Sequence, residues 1–343
     1  MSYDALLVVS FGGPEGPDDV MPFLRNVLRG RDVPEDRVVE VARQYDRFGG
    51  VSPLNGHNRA LIAAIEADLA SHGPALPVYW GNRNWHPMLA DTVAAMAEDG
   101  VRRALAFVTS AYGGYSGCRQ YLEDIEAARS AVGAAAPVID KLRLYFNHPG
   151  FVEPLADQLR AARADAGPDS PVLFSAHSVP VSAAKSSPYE EQLRTTARLV
   201  AARAGVAESD WQLVFQSRSG SPSVPWLEPD VRDALAALAP DHDAVVVAPI
   251  GFTSDHMEVR FDLDTQAAET ARQLGLRMVR AGTPGTDPRF VEMVRQLVSE
   301  RLGPERPGSE RLSAGGAVWP DRCPPGCCPA PARRPARPVG SGT

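Results

Sequence analysis

The chain has 343 residues, 44% of them hydrophobic and 22% charged, with a formal net charge of −7. This length suggests two globular domains with room for a large core, and the acidic balance argues against a broad nucleic-acid-binding face. No apolar run reaches the roughly 18 residues that a membrane helix needs, and the start MSYDALLVVSFGG has neither a basic leader nor a small-residue cleavage site, so a cytoplasmic protein is expected.

In chain order, Ala5 to Phe11 is an apolar run closed by Gly12-Gly13-Pro14, the pattern of a buried strand meeting a loop. Asp18 to Leu28 reads as a helix whose end carries Arg25, Arg29 and Arg31. Phe48 to Leu54 is a tight glycine loop before a helix from Asn55 to Ala70. Pro77 to Gly81 and Arg103 to Thr109 read as strands, Leu89 to Glu98 and Tyr121 to Val132 as helices. The pattern then repeats. Strands are expected at 142–146, 172–175, 211–216, 244–250 and 277–280, with helices at 152–164, 189–205, 231–238, 255–274 and 288–302. Strand–helix alternation of this kind implies α/β domains with parallel, doubly wound sheets. The boundaries expected are 1–140 for the first domain, 141–287 for the second, a helix at 288–303 packing back across the first, and an irregular tail over 304–343 rich in Pro and Gly.

Four stretches can carry chemistry. Pro249 to Asp264 (PIGFTSDHMEVRFDLD) leaves a strand through Gly251. Thr253 or Ser254 is suited to cap the helix that follows. On that helix Glu258 and Asp262 are four apart and share a face. Two carboxylates in line beside His256 suit proton transfer or a hard divalent cation, though acidic first turns are also common as solvated helix starts. His177, in FSAHSVP, follows an apolar strand where open α/β sheets bind ligands, and imidazole is both a metal ligand and a proton acceptor near neutrality. Gln216-Ser217-Arg218-Ser219-Gly220 follows another strand and suits the far side of a cleft. Tyr112, Tyr115 and Tyr121 suit the edge of a flat ligand or, more ordinarily, core packing. Neither GxGxxG nor GxxxxGK is present, so no nucleotide is expected. Ser175 and Ser178 flank His177, but without a GxSxG elbow a serine hydrolase is not supported. Four cysteines, Cys118, Cys323, Cys327 and Cys328, favour metal or iron–sulfur ligation over disulfides in a cytosolic chain.

Taken together, FGGP (11–14), FGGVSPL (48–54), FSAHSVP (174–180), QSRSG…PWLEP (216–229) and PIGFTSDHMEV (249–259) resemble the ferrochelatase family in order and spacing over about residues 3 to 303. The resemblance implies two Rossmann-like domains with a porphyrin cleft between them and insertion of ferrous iron into the macrocycle. By it, His177 and Glu258 match the facing catalytic pair and, with Asp262, the metal-handling line. Gln266 stands where some relatives carry a further acid. Phe11 stands where some relatives have a tyrosine that ligates the product iron. Ser52 and Tyr121 match propionate contacts. The family's propionate arginines fall on Leu28 and Gln44, leaving Arg29, Arg31 or Arg47 as substitutes. Phe11, Arg29, Ser52 and Tyr121 are therefore the expected porphyrin contacts. Some relatives bind a 2Fe–2S cluster with one internal and three C-terminal cysteines, which here implies Cys118, Cys323, Cys327 and Cys328. The tail and the GGPEGP start resemble the actinobacterial type, which implies coproporphyrin III rather than protoporphyrin IX as substrate. Expected partners are the porphyrin and ferrous iron, without nucleic acid or a membrane span, and the chain is expected to act as a monomer. The competing classes are a carrier with the same cleft and a cobalt chelatase.

Overall fold

A computed structural model describes residues 2–30, 33–219, 223–303 and 310–330 of the chain. Arg31 and Gly220, named above, lie outside these residues, as does the tail beyond Ala330. Two four-stranded sheets, each wholly parallel, form the frame. The first has the order β2-β1-β3-β4 from β1 (Ala5–Ser10), β2 (Val78–Asn82), β3 (Arg103–Val108) and β4 (Val138–Lys141). Its helices are α1 (Pro17–Val27), α2 (Glu35–Asp46), α3 (Leu54–His72), α4 (Leu89–Glu98) and α5 (Gln120–Val132). After α6 (Pro149–Ala166) the second sheet follows with β5 (Val172–His177), β6 (Trp211–Gln216), β7 (Ala244–Ala248) and β8 (Arg277–Arg280), in the order β6-β5-β7-β8. Its other helices are α7 (Val181–Lys185), α8 (Tyr189–Ala204), α9 (Val231–Leu238), α10 (Ala268–Gln273) and α11 (Pro288–Leu302).

Strand alternation decides which side chains meet which layer. Along β1, Ala5, Leu7 and Val9 pack outward with Val93 and Met96 of α4 and Ile125 of α5. Leu6 and Val8 face the other way, into a core that also holds Val172 and Phe174 of β5 and Phe290 and Val294 of α11. The two sheets therefore share one inner core, and each has its own outer layer. α11 packs on both α3 and α6. Each fully buried Leu, Val or Phe contributes about 1.5–3 kcal/mol relative to exposure, so this shared layer ties the sheets together. One buried ion pair adds to it: Arg143 and Glu300 meet at 2.7 Å with 1% and 2% of their side chains exposed.

Three expectations differ from what is observed. Residues 142–146 are not a strand. Leu142, Leu144, Tyr145 and Phe146 are buried in the shared core as an irregular crossing segment, and the pairing strand is the more polar Val138–Lys141 at the sheet edge. The run is apolar because it is packed, not because it is paired. α2 was not expected: its charged residues surround a short apolar face, of which only Val38 is fully buried, with Val41, Ala42 and Tyr45 partly buried against α1. The helix expected over 255–274 is instead a π-helix, Val259–Ala267, running into α10. Among residues 310–330 there is no helix or strand. Among the described residues no helix is long and apolar enough to cross a membrane.

Candidate active site

In a doubly wound sheet, ligands bind outside the carboxyl ends of the strands, where the strand order reverses. In the second sheet that point lies between β5 and β7. β5 ends in His177, in register with Gln216 of β6. β7 runs into the 249–258 segment. Gly251 lets these two strand ends meet: its amide donates to the Ser175 carbonyl at 3.1 Å, and a Cβ there would lie 2.7 Å from Ala176 Cα. No larger residue fits without parting the loops.

The result is a histidine facing a carboxylate. His177 Nε2 lies 3.5 Å from Glu258 Oε1. The Nδ1 of His177 meets the Ser178 carbonyl, which can only accept, so Nδ1 carries a hydrogen and Nε2 is the atom turned to Glu258. Burial opposes charge on the imidazole, but Glu258, the Ser178 carbonyl and Asp262 outweigh it and raise the His177 pKa to about 9. Burial likewise opposes charge on Glu258, and His177 outweighs it, lowering Glu258 to about 2. The resting pair is imidazolium and carboxylate. Asp262 behaves differently. Burial, reinforced by the Glu258 charge, raises it to about 6 despite a hydrogen bond from Ser217 Oγ.

The π-helix governs where these groups point. A wider turn than the α-helix still returns residue i+4 close to the face of residue i, so Glu258 and Asp262 share an aspect. Both line a cavity of about 340 Å³, with Gln266, Ser217, Gln44 and Arg37 among the other walls. Its wall does not include His177, so Glu258 is the group common to the cavity and the histidine. The helix start is not capped by Thr253 or Ser254 as expected. His256 Nδ1 accepts from the Glu258 amide at 3.2 Å, and the Ser254 carbonyl accepts from the His256 amide. Gln216 Nε2 donates to the Glu258 carbonyl at 2.9 Å, giving that residue a positioning role its sequence context only hinted at.

From the first half of the chain, α2 lines the cavity with Arg37, Glu40, Val41, Gln44 and Tyr45, and the expected porphyrin contacts lie elsewhere. Phe11 follows β1 and is 38% exposed, the largest opening of any aromatic near the strand ends. Arg83 lies 5.9 Å from its ring centroid and 4.4 Å from that of Tyr121, and pairs with Asp124. Sequence reading did not single out Arg83; its polar–aromatic loop was the only signal. Tyr121 and Ser52 are both buried, the latter pressed against Gly13, where a Cβ would come within 2.6 Å of Ser52 Cβ. Arg29 is exposed and bonded to Asn26. Arg47 rests over Phe261 of the π-helix at 5.8 Å. None of Phe11, Arg29, Ser52 and Tyr121 lines the 340 Å³ cavity. Tyr112 is no ligand edge: it is buried, and its hydroxyl donates to the Ile250 carbonyl at 2.7 Å, tying the two strand-end loops together.

The four cysteines are all free, and they gather. Interaction with the neighbouring Cys118 thiol, above all, lowers the Cys323 pKa to about 5 despite burial, and the same pairing raises that of Cys118. Cys327 and Cys328 have their sulfurs 3.4 Å apart. As placed, however, no three His, Cys, Asp or Glu side chains among the described residues could hold a metal ion between them. This applies equally to the His177, Glu258 and Asp262 line.

Two parallel sheets with a histidine–carboxylate pair at the switch point define a chelatase-like α/β protein. The fold agrees with solved chelatases. SirB from Bacillus subtilis with Fe3+ aligns with a TM-score of 0.54 at 11% identity, covering 88% of this chain and 98% of that one. A multi-domain Deinococcus radiodurans protein described as similar to chelatases aligns at 0.50 and 16% identity, covering 86% of this chain and 55% of that one. The ferrochelatase family model matches residues 3–302, and the chain belongs to the ferrochelatase family. It is 53% identical to a ferrochelatase from Rhodopirellula baltica over 99% of this chain and 97% of the relative. It is 55% identical to the coproporphyrin III ferrochelatase of Nocardia farcinica over 98% and 99%, and 53% identical to that of Streptomyces coelicolor over 97% and 95%.

Proposed function

We propose that this chain inserts ferrous iron into coproporphyrin III, with His177 and Glu258 as the working pair. The observation that carries the chemistry is the 3.5 Å contact between His177 Nε2 and Glu258 Oε1 beside a cavity lined by Glu258 and Asp262. The substrate half rests on the named relatives.

Metal insertion must remove two pyrrole protons while the cation sheds water. In the resting pair the carboxylate keeps a proton on Nε2. A dication arriving at Glu258 neutralises that charge, and the His177 pKa then falls toward its ordinary range. The imidazole becomes a base when metal is at hand, which couples deprotonation of the macrocycle to metal arrival. Asp262, titrating near 6, suits the next step of a proton relay toward the cavity. Gln266 also lines the cavity but cannot ionise, so the acidic line ends at Asp262. Phe11 offers an apolar face to the macrocycle and no hydroxyl to hold the product iron. Ser52, Tyr121 and Arg29 are read as porphyrin contacts, with Arg83 beside them as a further cation near two aromatic faces.

A 2Fe–2S cluster on Cys118, Cys323, Cys327 and Cys328 is the second part of the reading. Four free thiols in a chain of contacts fit the donor count and softness that such a cluster needs, and Cys323 is already biased toward thiolate. When bound, the cluster supplies a one-electron redox centre. The chain's own residues would hold the tail against the loop that carries Cys118.

The test is anaerobic incubation with Fe²⁺ and, separately, coproporphyrin III and protoporphyrin IX, followed by loss of porphyrin fluorescence. Rapid loss with coproporphyrin III and slow loss with protoporphyrin IX is expected. Equal rates would overturn the substrate assignment, and no loss with either would overturn the enzyme reading.

A further inference from the structure

Segment 255–264 carries four carboxylates, Asp255, Glu258, Asp262 and Asp264. Two line the cavity, Glu258 and Asp262. The other two are gathered by one cation. Arg280, the last residue of β8, grips Asp255 in a fork, with Nη2 to Oδ2 at 2.7 Å and Nη1 to Oδ1 at 3.3 Å. Its Nε donates to Asp264 Oδ1 at 2.5 Å. Nη1 also reaches the Ala281 carbonyl at 3.1 Å, and Thr283 Oγ1 donates to Asp255 Oδ1 at 2.9 Å. Arg260 approaches Asp264 Oδ2 at 3.6 Å, from the helix itself. The guanidinium is 19% exposed, and its partners 24% and 29%. Asp255 lies three residues before Glu258 and Asp264 six after it. Arg280 therefore fixes both ends of the stretch that carries the working carboxylate.

We infer that Arg280 is a positioning residue for metal insertion, holding the wide-turned segment in the register that aims Glu258 at His177. A planar fork with three donor directions can hold two carboxylates at fixed angles, which a lysine ammonium cannot. A misplacement near 1 Å at a reacting group costs on the order of a hundredfold in rate, so slack in this clamp should reach the chemistry.

The inference rests on the reading of Glu258 as a working group, and the experiment separates the two. Iron insertion is measured in Arg280→Lys, in the triple variant Arg280→Met/Asp255→Asn/Asp264→Asn, which removes all three charges of the clamp, and in Glu258→Gln. Porphyrin affinity by fluorescence quenching and thermal melting accompany each. Expected is a fall in kcat of about tenfold or more in both Arg280 variants, with porphyrin Kd within about twofold of wild type, and with the melting temperature kept in the triple variant. Partial rescue of an Arg280→Ala variant by millimolar guanidinium is expected as well. Wild-type kcat in Arg280→Lys, while Glu258→Gln is inactive, would overturn the inference alone. Wild-type kcat in Glu258→Gln would overturn the reading beneath it. A loss in the Arg280 variants that tracks melting temperature and resists guanidinium would reduce Arg280 to a stabilising contact and overturn the inference too.

Discussion

His177 Nε2 faces Glu258 Oε1 at 3.5 Å while the Nδ1 of the same ring is held by the Ser178 carbonyl. One ring nitrogen is thereby fixed to the backbone and the other is given to the site. With 33% and 43% of the two side chains exposed, solvent screens the contact and keeps its contribution to stability modest. Its consequence is for proton affinity.

Removing the charge of Glu258 should therefore move His177. Glu258→Gln is expected to bring the His177 pKa down from about 9 toward the ordinary value near 6.5, read by NMR of the labelled imidazole. The sign for stability follows from a raised folded pKa. The pair's contribution is fully present between about pH 4.5 and 6.5, is lost as pH falls through about 2 on the Glu258 side, and disappears as pH rises through 9 on the His177 side. A His177–Glu258 double-mutant cycle in urea should give a coupling at pH 6 that is gone by pH 10.

Gly251→Ala tests the meeting of the strand ends. A Cβ 2.7 Å from Ala176 Cα must push the 249–258 segment away from β5. Overpacking of this kind costs about 1–3 kcal/mol. The expected outcome is a folded protein with a lowered melting point and a kcat reduced more than porphyrin affinity. An unchanged kcat would mean that the loop spacing does not control the site.

His148 sets an acid limit. It is fully buried at the N-terminus of α6, its Nδ1 accepting from the Gly150 amide at 3.0 Å. Burial first, and the nearby Arg143 second, lower its pKa to about 3. The unfolded chain takes up this proton near pH 6.5 and the native chain does not, so stability is lost progressively as pH falls from about 6.5 toward 3. The full effect is on the order of 5 kcal/mol. His148→Asn keeps an N-cap acceptor and should flatten this part of the stability–pH curve in urea titrations.

Much of the site was legible because its residues sit in short motifs at strand ends, where topology rather than long-range packing puts them. His177 and Glu258 are such residues. The π-helix was not legible: apolar spacing over 259–267 does not separate a turn of 3.6 residues from a wider one, since the extra residue is absorbed by hydrogen bonding. The misplaced strand at 142–146 has a similar origin, as Leu142, Leu144, Tyr145 and Phe146 are apolar because they fill the core that the two sheets share. Arg280 was invisible for another reason. Its partners are 16 and 25 residues away, and nothing local to β8 marks it.

The thiol group gives a compositional prediction. Anaerobically purified protein should carry two irons and two sulfides per chain if the cluster reading holds, and Cys323→Ser, which removes the thiol whose pKa the neighbouring Cys118 lowers most, should carry neither. Iron and sulfide absent from both proteins would end the cluster reading without touching the insertion site.

The most direct test of the insertion site is single-turnover Fe²⁺ insertion into coproporphyrin III by wild type, His177→Ala and Glu258→Gln, with porphyrin binding measured in parallel. Expected is near wild-type porphyrin binding in both variants with insertion slowed by at least about a hundredfold, the scale of a lost general base. Insertion at wild-type rate in either variant would contradict the assignment of His177 and Glu258 as the pair that moves protons and metal.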